Sequence, residues 1–430
     1  MQLPAQTVHK IAGSTFRPLG KVHDWNGVCS NRTFERTAFT WLASRRRPYG
    51  VCTSLSSTVP LRAPMLTRTP KLSGVDCSAD LPVTGSKNYI QSTALTNTAI
   101  MNSSALDDFN AHSVPIGRTM RAIEYDQYGD ASVLHVADHP IPQLSSDQLF
   151  IEVLASSVNP IDYRFRRGDM KGLIPFGFPR IPGYDVAGIV VDCELESSFA
   201  KGDRVMAFLD HTRGGALADY AVCSVASAAK IPDSMSMADA AAIPLAGTTA
   251  LQSLRDHGKI KSGQTVLING ASGGVGMFAV QIAKSYGCHV DAIASGRNRE
   301  FCLSLGADHF YDYEKDDFMK SDERWDIIFD VSGKAHYLGA RAVLKPSGRF
   351  ISTEPSITGL LMTILTWPLS KSGQIMLAVP SADDLRELIQ LYEAGKLKVT
   401  LDSTFPFEQA AQAHRRVESG VDHGKVVLIN

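Results

Sequence analysis

The sequence predicts an α/β protein in which a doubly wound parallel sheet is joined to a compact β-rich domain. Three observations carry this. The run Gly270-Ala271-Ser272-Gly273-Gly274-Val275-Gly276 sits between an apolar strand, 265–268, and an apolar helix, 277–283. From there to about Val379, helix and strand patterns alternate. Between Met120 and Pro232, short strands follow at close spacing and are separated by Pro, Gly and Asn turns.

The bulk properties allow two folded domains and exclude several functions. The chain has 430 residues, 44% hydrophobic and 20% charged, with a net charge of −1, so nothing draws it generally to nucleic acid or anionic membrane. Its seven cysteines form no Cys-x-x-Cys pair, so neither a disulfide framework nor a cysteine-rich zinc site is indicated. The longest apolar stretch, 357–369, holds threonines and a proline and is shorter than the roughly 20 residues that span a bilayer, so no stable membrane insertion is expected. Residues 1–100 carry twelve Lys and Arg against four acids, rich in serine and threonine. That composition fits an organelle transit segment within residues 1–118, with a disordered extension or a mispredicted start as the alternatives.

The folded part begins near residue 119. A strand at 121–125 runs through Tyr128-Gly129 into 133–136, and further strands are expected at 149–155, 186–192, 204–208 and 219–222. Past the β-rich part comes the glycine run. Glycines let a strand-to-helix turn bring backbone N–H groups against a diphosphate, which marks a dinucleotide cradle. The next strand, 289–294, ends in Ser295-Gly296-Arg297-Asn298, with no carboxylate to hold the two ribose hydroxyls of NAD. Arg297, with Arg299 as the weaker candidate, favours the extra phosphate of NADPH. Arg297 also reads as an ordinary solvated helix-start arginine. A second helix at 300–305 and strands at 326–330, 349–352 and 374–378 complete the sheet. A last helix, 382–394, has Ser381 as its N-cap and presents Leu385, Leu388, Ile389 and Tyr392 on one face. The closing strand, 425–429, is expected to return to the first domain.

Seven motifs in order then resemble a known family. They are Val158-Asn159-Pro160-Ile161-Asp162, Pro182-Gly183-Tyr184-Asp185-Val186-Ala187-Gly188, Gly202-Asp203-Arg204-Val205, Ala246-Gly247-Thr248-Thr249-Ala250, the Gly-Gly-Val-Gly turn, Leu305-Gly306-Ala307-Asp308 and Asp312-Tyr313. Together they resemble the zinc-free quinone oxidoreductase and alkenal reductase branch of the medium-chain dehydrogenase/reductase superfamily, over about residues 120–430. The resemblance implies a GroES-like catalytic domain at 119–235, completed by 379–430, around a Rossmann domain at 236–378, and a homodimer. Ser295 to Asn298 and Ser403-Thr404-Phe405-Pro406 look like the plastid enzymes, with mitochondrial relatives close behind. An organelle location is thus expected, or the cytoplasm if residues 1–118 are not a targeting segment. Asn159 stands where the zinc alcohol dehydrogenases of the superfamily have a cysteine ligand, and Tyr184-Asp185 replaces their His-Glu pair, so no metal is expected.

Without a Lewis acid, hydride donation to an electron-poor acceptor is the sensible chemistry. The β-carbon of an α,β-unsaturated carbonyl and the ring of a quinone both accept a nicotinamide hydride, and catalysis then rests mainly on orientation and water exclusion. Asn159 is the first candidate at the substrate end, or else a turn-forming Asn before Pro. Tyr163 is a candidate hydrogen-bond donor to the enolate oxygen, or a core tyrosine. Tyr184 faces the cleft by resemblance, or packs. Thr249 is expected at the nicotinamide end and Gly273, Gly274, Val275 and Gly276 at the diphosphate. Ser295, Arg297 and Tyr313 are carried over from the family as ribose-phosphate contacts. Two rival functions stay open: enoyl-thioester reduction in lipid or polyketide synthesis, and an NADPH-binding structural or sensor protein with incidental turnover.

Overall fold

The computed structural model describes residues 119–430 apart from 172–176, 195–196, 211–213, 355 and 367–368. The expected targeting segment or extension, 1–118, lies outside the described residues. Those described belong to one compact unit.

A hairpin comes first. Strand β1 (Thr119–Glu124) pairs antiparallel with β2 (His135–Pro140), Glu124 opposite His135, as a separate two-stranded sheet. The strand expected at 133–136 starts later because a 3-10 turn, Ala131–Val133, intervenes; the Asp130 carboxylate caps it by accepting from the Ser132 N–H at 2.8 Å. Strands β3 (Gln148–Val158), β4 (Asp185–Cys193), β5 (Arg204–Phe208), β6 (Tyr220–Ser224) and β7 (Ala228–Lys230) follow. Then come β8 (Thr265–Asn269), β9 (His289–Ala294), β10 (His309–Asp312), β11 (Trp325–Asp330), β12 (Leu344–Ser352) and β13 (Ser372–Ile375), and finally β14 (Leu401–Pro406) and β15 (Lys425–Ile429).

These strands build two larger sheets. One runs β14-β15-β3-β4-β5-β7, with β6 also on β3. Its core forms where Leu149, Ile151 and Val153 alternate inward along β3 against Val186, Val190 and Val205. The closing strand does return to this sheet: β15 lies antiparallel to β3, with Val426 opposite Val158. The other sheet runs β10-β9-β8-β11-β12-β13, and each of its pairs is parallel. Strand order therefore reverses between β8 and β11, which opens a ligand crevice beyond their carboxyl ends, as in a Rossmann sheet.

A further buried cluster joins the two sheets. Met206 and Val427 share a buried cluster with Val266, Ile268, Met277 and Phe278. Helix Gly274–Ser285 contributes Met277, Phe278, Val280 and Ile282, each fully buried; a side chain such as Phe278 contributes about 2–3 kcal/mol by leaving water. The helix begins three residues before the expected start because Gly273, in extended backbone, is its N-cap. Helix Ala382–Glu393 matches the expected one, and Ser381 Oγ accepts from the Asp384 N–H at 3.2 Å. Segment 357–369 contains helix Ile357–Thr366, whose Leu360, Leu361, Ile364 and Leu365 are exposed. Helix Pro160–Arg167 was not anticipated, although Asn159, Pro160 and a left-handed Gly168 (φ 86°) mark both of its ends.

Candidate functional site

The glycine run turns sharply out of β8 into helix Gly274–Ser285. Gly276 is dictated by packing, since a Cβ there would lie 2.0 Å from the Gly270 carbonyl oxygen. Gly273 differs: a Cβ would meet only Gly270 O, at 3.6 Å, an ordinary contact. Space therefore lies open above Gly273, at the helix end where first-turn N–H groups lack helical acceptors. An anionic diphosphate fits that position.

The turn after β9 is tied to this cradle. Asn298 is buried, and its Nδ2 donates to Ser272 Oγ (3.2 Å), Ser295 Oγ (3.1 Å) and the Asp422 carbonyl (2.8 Å). Ser295 is buried in this junction. Arg297 is 71% exposed at the side chain and pairs with Asp422 at 2.6 Å. Such an exposed pair is worth about 0–1 kcal/mol. Tyr313 is exposed, with the Lys334 ammonium 5.3 Å from its ring centroid. Asp422 and Lys334 were missed by sequence reasoning, and neither carries a spacing signal that links it to residues 270–276; Asn298 stood in the turn Ser295-Gly296-Arg297-Asn298 with no role assigned.

At the other end, a buried polar cluster joins β3, β4 and β15. Asp185, fully buried, accepts from Ser157 Oγ (2.5 Å), Asn159 Nδ2 (2.7 Å) and the Leu245 N–H (2.6 Å). The last of these lies in the first turn of helix Pro244–Gln252, where a carboxylate is favoured. Lys425 Nζ donates to Asn159 Oδ1 at 2.5 Å and stands 3.6 Å from Asp185 Oδ2. Both ends of the Asn159 amide are thus used within the protein, and Asn159 is only 2% exposed. Asp162 receives the N–H groups of Asn159 (2.7 Å) and Gly183 (3.2 Å). Burial pushes its carboxyl up to about 7, helped by the Asp185 charge and opposed by the Asn159 N–H and Lys425. Burial pushes Lys425 down against the pull of Asp185 and Asp162.

The remaining candidates divide. Tyr184 is half-buried and lines a small pocket with Tyr125, Asp162, Phe165, Arg180 and Pro182. Burial raises its phenol well above the ordinary range, so it stays protonated. Tyr163 lies under the Arg167 guanidinium, 5.6 Å from its ring centroid, outside that pocket's lining. Thr249 is buried and returns its hydroxyl to Leu245 O at 2.7 Å. Lys425 was missed by sequence reasoning; its signal was a lone lysine opening an apolar strand.

Comparisons with known proteins fit this geometry. Residues 145–233 match the alcohol dehydrogenase GroES-like domain and residues 305–428 a zinc-binding dehydrogenase domain. The chloroplast envelope quinone oxidoreductase homolog of Arabidopsis thaliana is 33% identical over 73% of this chain and 99% of its own length. This chain belongs to the medium-chain dehydrogenase/reductase superfamily, in the branch of quinone oxidoreductases and alkenal reductases. The NADPH-dependent alkenal/one oxidoreductase of Arabidopsis chloroplasts is 31% identical over 80% of this chain and 87% of its own. The solved quinone oxidoreductase of Coxiella burnetii superposes with a TM-score of 0.67, 31% identical over 73% of this chain and all of its own. Superfamily oxidoreductases use nicotinamide cofactors, and a small-molecule acceptor follows. Among the described residues, no helix is long and apolar enough to cross a membrane.

The zinc of some superfamily members does not suit these residues. Asp185 already accepts from three donors, Asn159 offers an amide bound at both ends, and the Lys425 ammonium would repel a dication.

Proposed function

We propose that this chain reduces quinones, or the activated C=C of α,β-unsaturated carbonyls, with NADPH and without zinc. The observation that supports this reading is the hydrogen-bonded Asp185–Asn159–Lys425 cluster, in which Asn159 and Asp185 stand, by resemblance, where the zinc enzymes of the superfamily carry ligands. When bound, NADPH supplies the hydride. The protein's contribution is then placement. The open backbone above Gly273, with the first-turn N–H groups of Gly274, Val275 and Gly276, suits the diphosphate, while Ser295, Arg297 and Tyr313 edge the ribose-phosphate position. Lys425 holds Asn159 and Asp185 rigid beneath the cleft, and Thr249 lies on the adjoining helix. Hydride addition leaves negative charge on the acceptor oxygen, where a donor is needed. Tyr184, kept protonated by burial, fits that role better than Tyr163, which sits under Arg167.

The test is to follow NADPH consumption by the full-length protein across quinones, short alkenals, enones and one enoyl-CoA, with NADH for comparison. Fast NADPH-selective turnover of quinones or alkenals is expected. Preference for the thioester would move the activity into acyl-chain synthesis, and tight NADPH binding with silence throughout would leave a binding or sensor role. Tyr184→Phe is expected to lower kcat by about a hundredfold; an unchanged kcat leaves Tyr184 a wall residue.

We further infer an organellar location, supported by the chloroplast in the names of both Arabidopsis relatives. A homodimer is supported by the exposed apolar side chains of helix Ile357–Thr366 beside edge strand β13.

A further inference from the structure

A separate cluster of carboxylate and imidazole side chains lies on the β1–β2 hairpin. Glu124 closes β1 opposite His135, which opens β2. Glu124 Oε1 is 3.7 Å from His135 Nε2, Glu124 Oε2 is 3.4 Å from His139 Nε2, and Asp126 Oδ2 is 3.4 Å from His135 Nε2. One donor atom from each of Glu124, Asp126 and His135 falls within 4.8 Å of the other two.

These separations are informative. Direct N–H···O bonds run at about 2.7–3.2 Å, shorter than any of the three. Four ligands at about 2.0–2.1 Å around a tetrahedral centre stand about 3.4 Å from one another. The Glu124–His135 and Asp126–His135 separations are thus of the size expected of ligands sharing one small cation.

An independent observation concerns Glu124. It is only 8% exposed, and its buried Oε2 makes no hydrogen bond. A buried carboxylate oxygen without a donor is costly, and a cation held by the Glu124 carboxylate would offset that cost by neutralising its charge. Two carboxylates and an imidazole form an N/O donor set of the kind that zinc and its first-row neighbours accept.

We propose that Glu124, Asp126 and His135 form a divalent transition-metal site, with His139 orienting the Glu124 carboxylate. A metal there would pin the hairpin where the described fold begins. It would also fix the backbone of Tyr125, between the two acids. Tyr125 exchanges backbone hydrogen bonds with Arg180, 3.0 Å each way, and lines the pocket beside Tyr184.

Co2+ is the first probe, added to the metal-stripped full-length protein. The expected result is one visible d–d spectrum per chain that owes nothing to thiolate ligands, displaced by Zn2+. Asp126→Asn and His135→Gln alter exposed side chains and spare the fold; each is expected to weaken Co2+ binding about tenfold or more, and His139→Gln to weaken it less. Zn2+ is also expected to raise the thermal midpoint of the wild type but not of the Asp126/His135 double variant. Absence of such a spectrum, or equal binding by wild type and both single variants, overturns the site and leaves a histidine–carboxylate ion-pair cluster.

Discussion

Lys425 lies directly beneath Gly274: a Cβ on Gly274 would come 2.7 Å from Lys425 Cδ, while the lysine Nζ reaches Asn159 Oδ1. One side chain thus floors the glycine turn and braces the buried acids. The two ends of the candidate site are held by a residue that the glycine motif does not contain.

Removing that amine leaves Asp185 buried with less compensation. Lys425→Met, which keeps the apolar stem, is expected to cost about 3–5 kcal/mol in urea unfolding. A loss under about 1 kcal/mol would mean that the three hydrogen-bond donors to Asp185 suffice without the ammonium.

Arg297 and Asp422 make opposite predictions for cofactor choice. Arg297→Ala is expected to weaken NADPH about tenfold or more, near 1.4 kcal/mol, with little effect on NADH. Asp422→Asn removes the competing carboxylate and is expected to tighten NADPH. Titrations of both dinucleotides decide this, and equal losses for the two in Arg297→Ala would remove its assigned role.

The glycines separate binding from folding. Gly273→Ala meets only an ordinary contact and is expected to keep the wild-type melting temperature while weakening NADPH. Gly276→Ala drives its Cβ into Gly270 O and is expected to lose both. Calorimetry paired with cofactor titration checks the split, and a Gly273→Ala protein with full affinity would place the diphosphate elsewhere.

Asp162 gives stability a pH signature. Its folded pKa, about 7, lies above the unfolded value near 3.9, so the folded state binds the proton more tightly. Its stabilising contribution is full below about pH 4 and is lost as pH rises through about 7. Relative to Asp162→Asn, the wild type is therefore expected to lose stability by a few kcal/mol across that window. Parallel stability–pH curves for the two proteins would place the Asp162 pKa in the ordinary range.

Much of the fold was legible because its signals are local. The apolar runs at 265–268 and 289–294 with the glycines between them announce a strand–turn–helix whatever surrounds them, and Ser381 caps its helix through a bond three residues away. Helix Pro160–Arg167 is equally local but only eight residues long, and its Asn159-Pro160 start reads equally well as a turn. By itself, then, the sequence determined the strand and helix periods, the phosphate-cradling turn, the missing carboxylate after β9 and the absence of a Cys or His ligand at Asn159. Tertiary structure decided the rest: that Lys425 reaches Asn159 across 266 positions, that Asp422 meets Arg297, and that Glu124 faces His135 and His139. The physical reason is that turns and caps are made by neighbours in the chain, whereas buried charges take partners from whichever strands the sheets bring together.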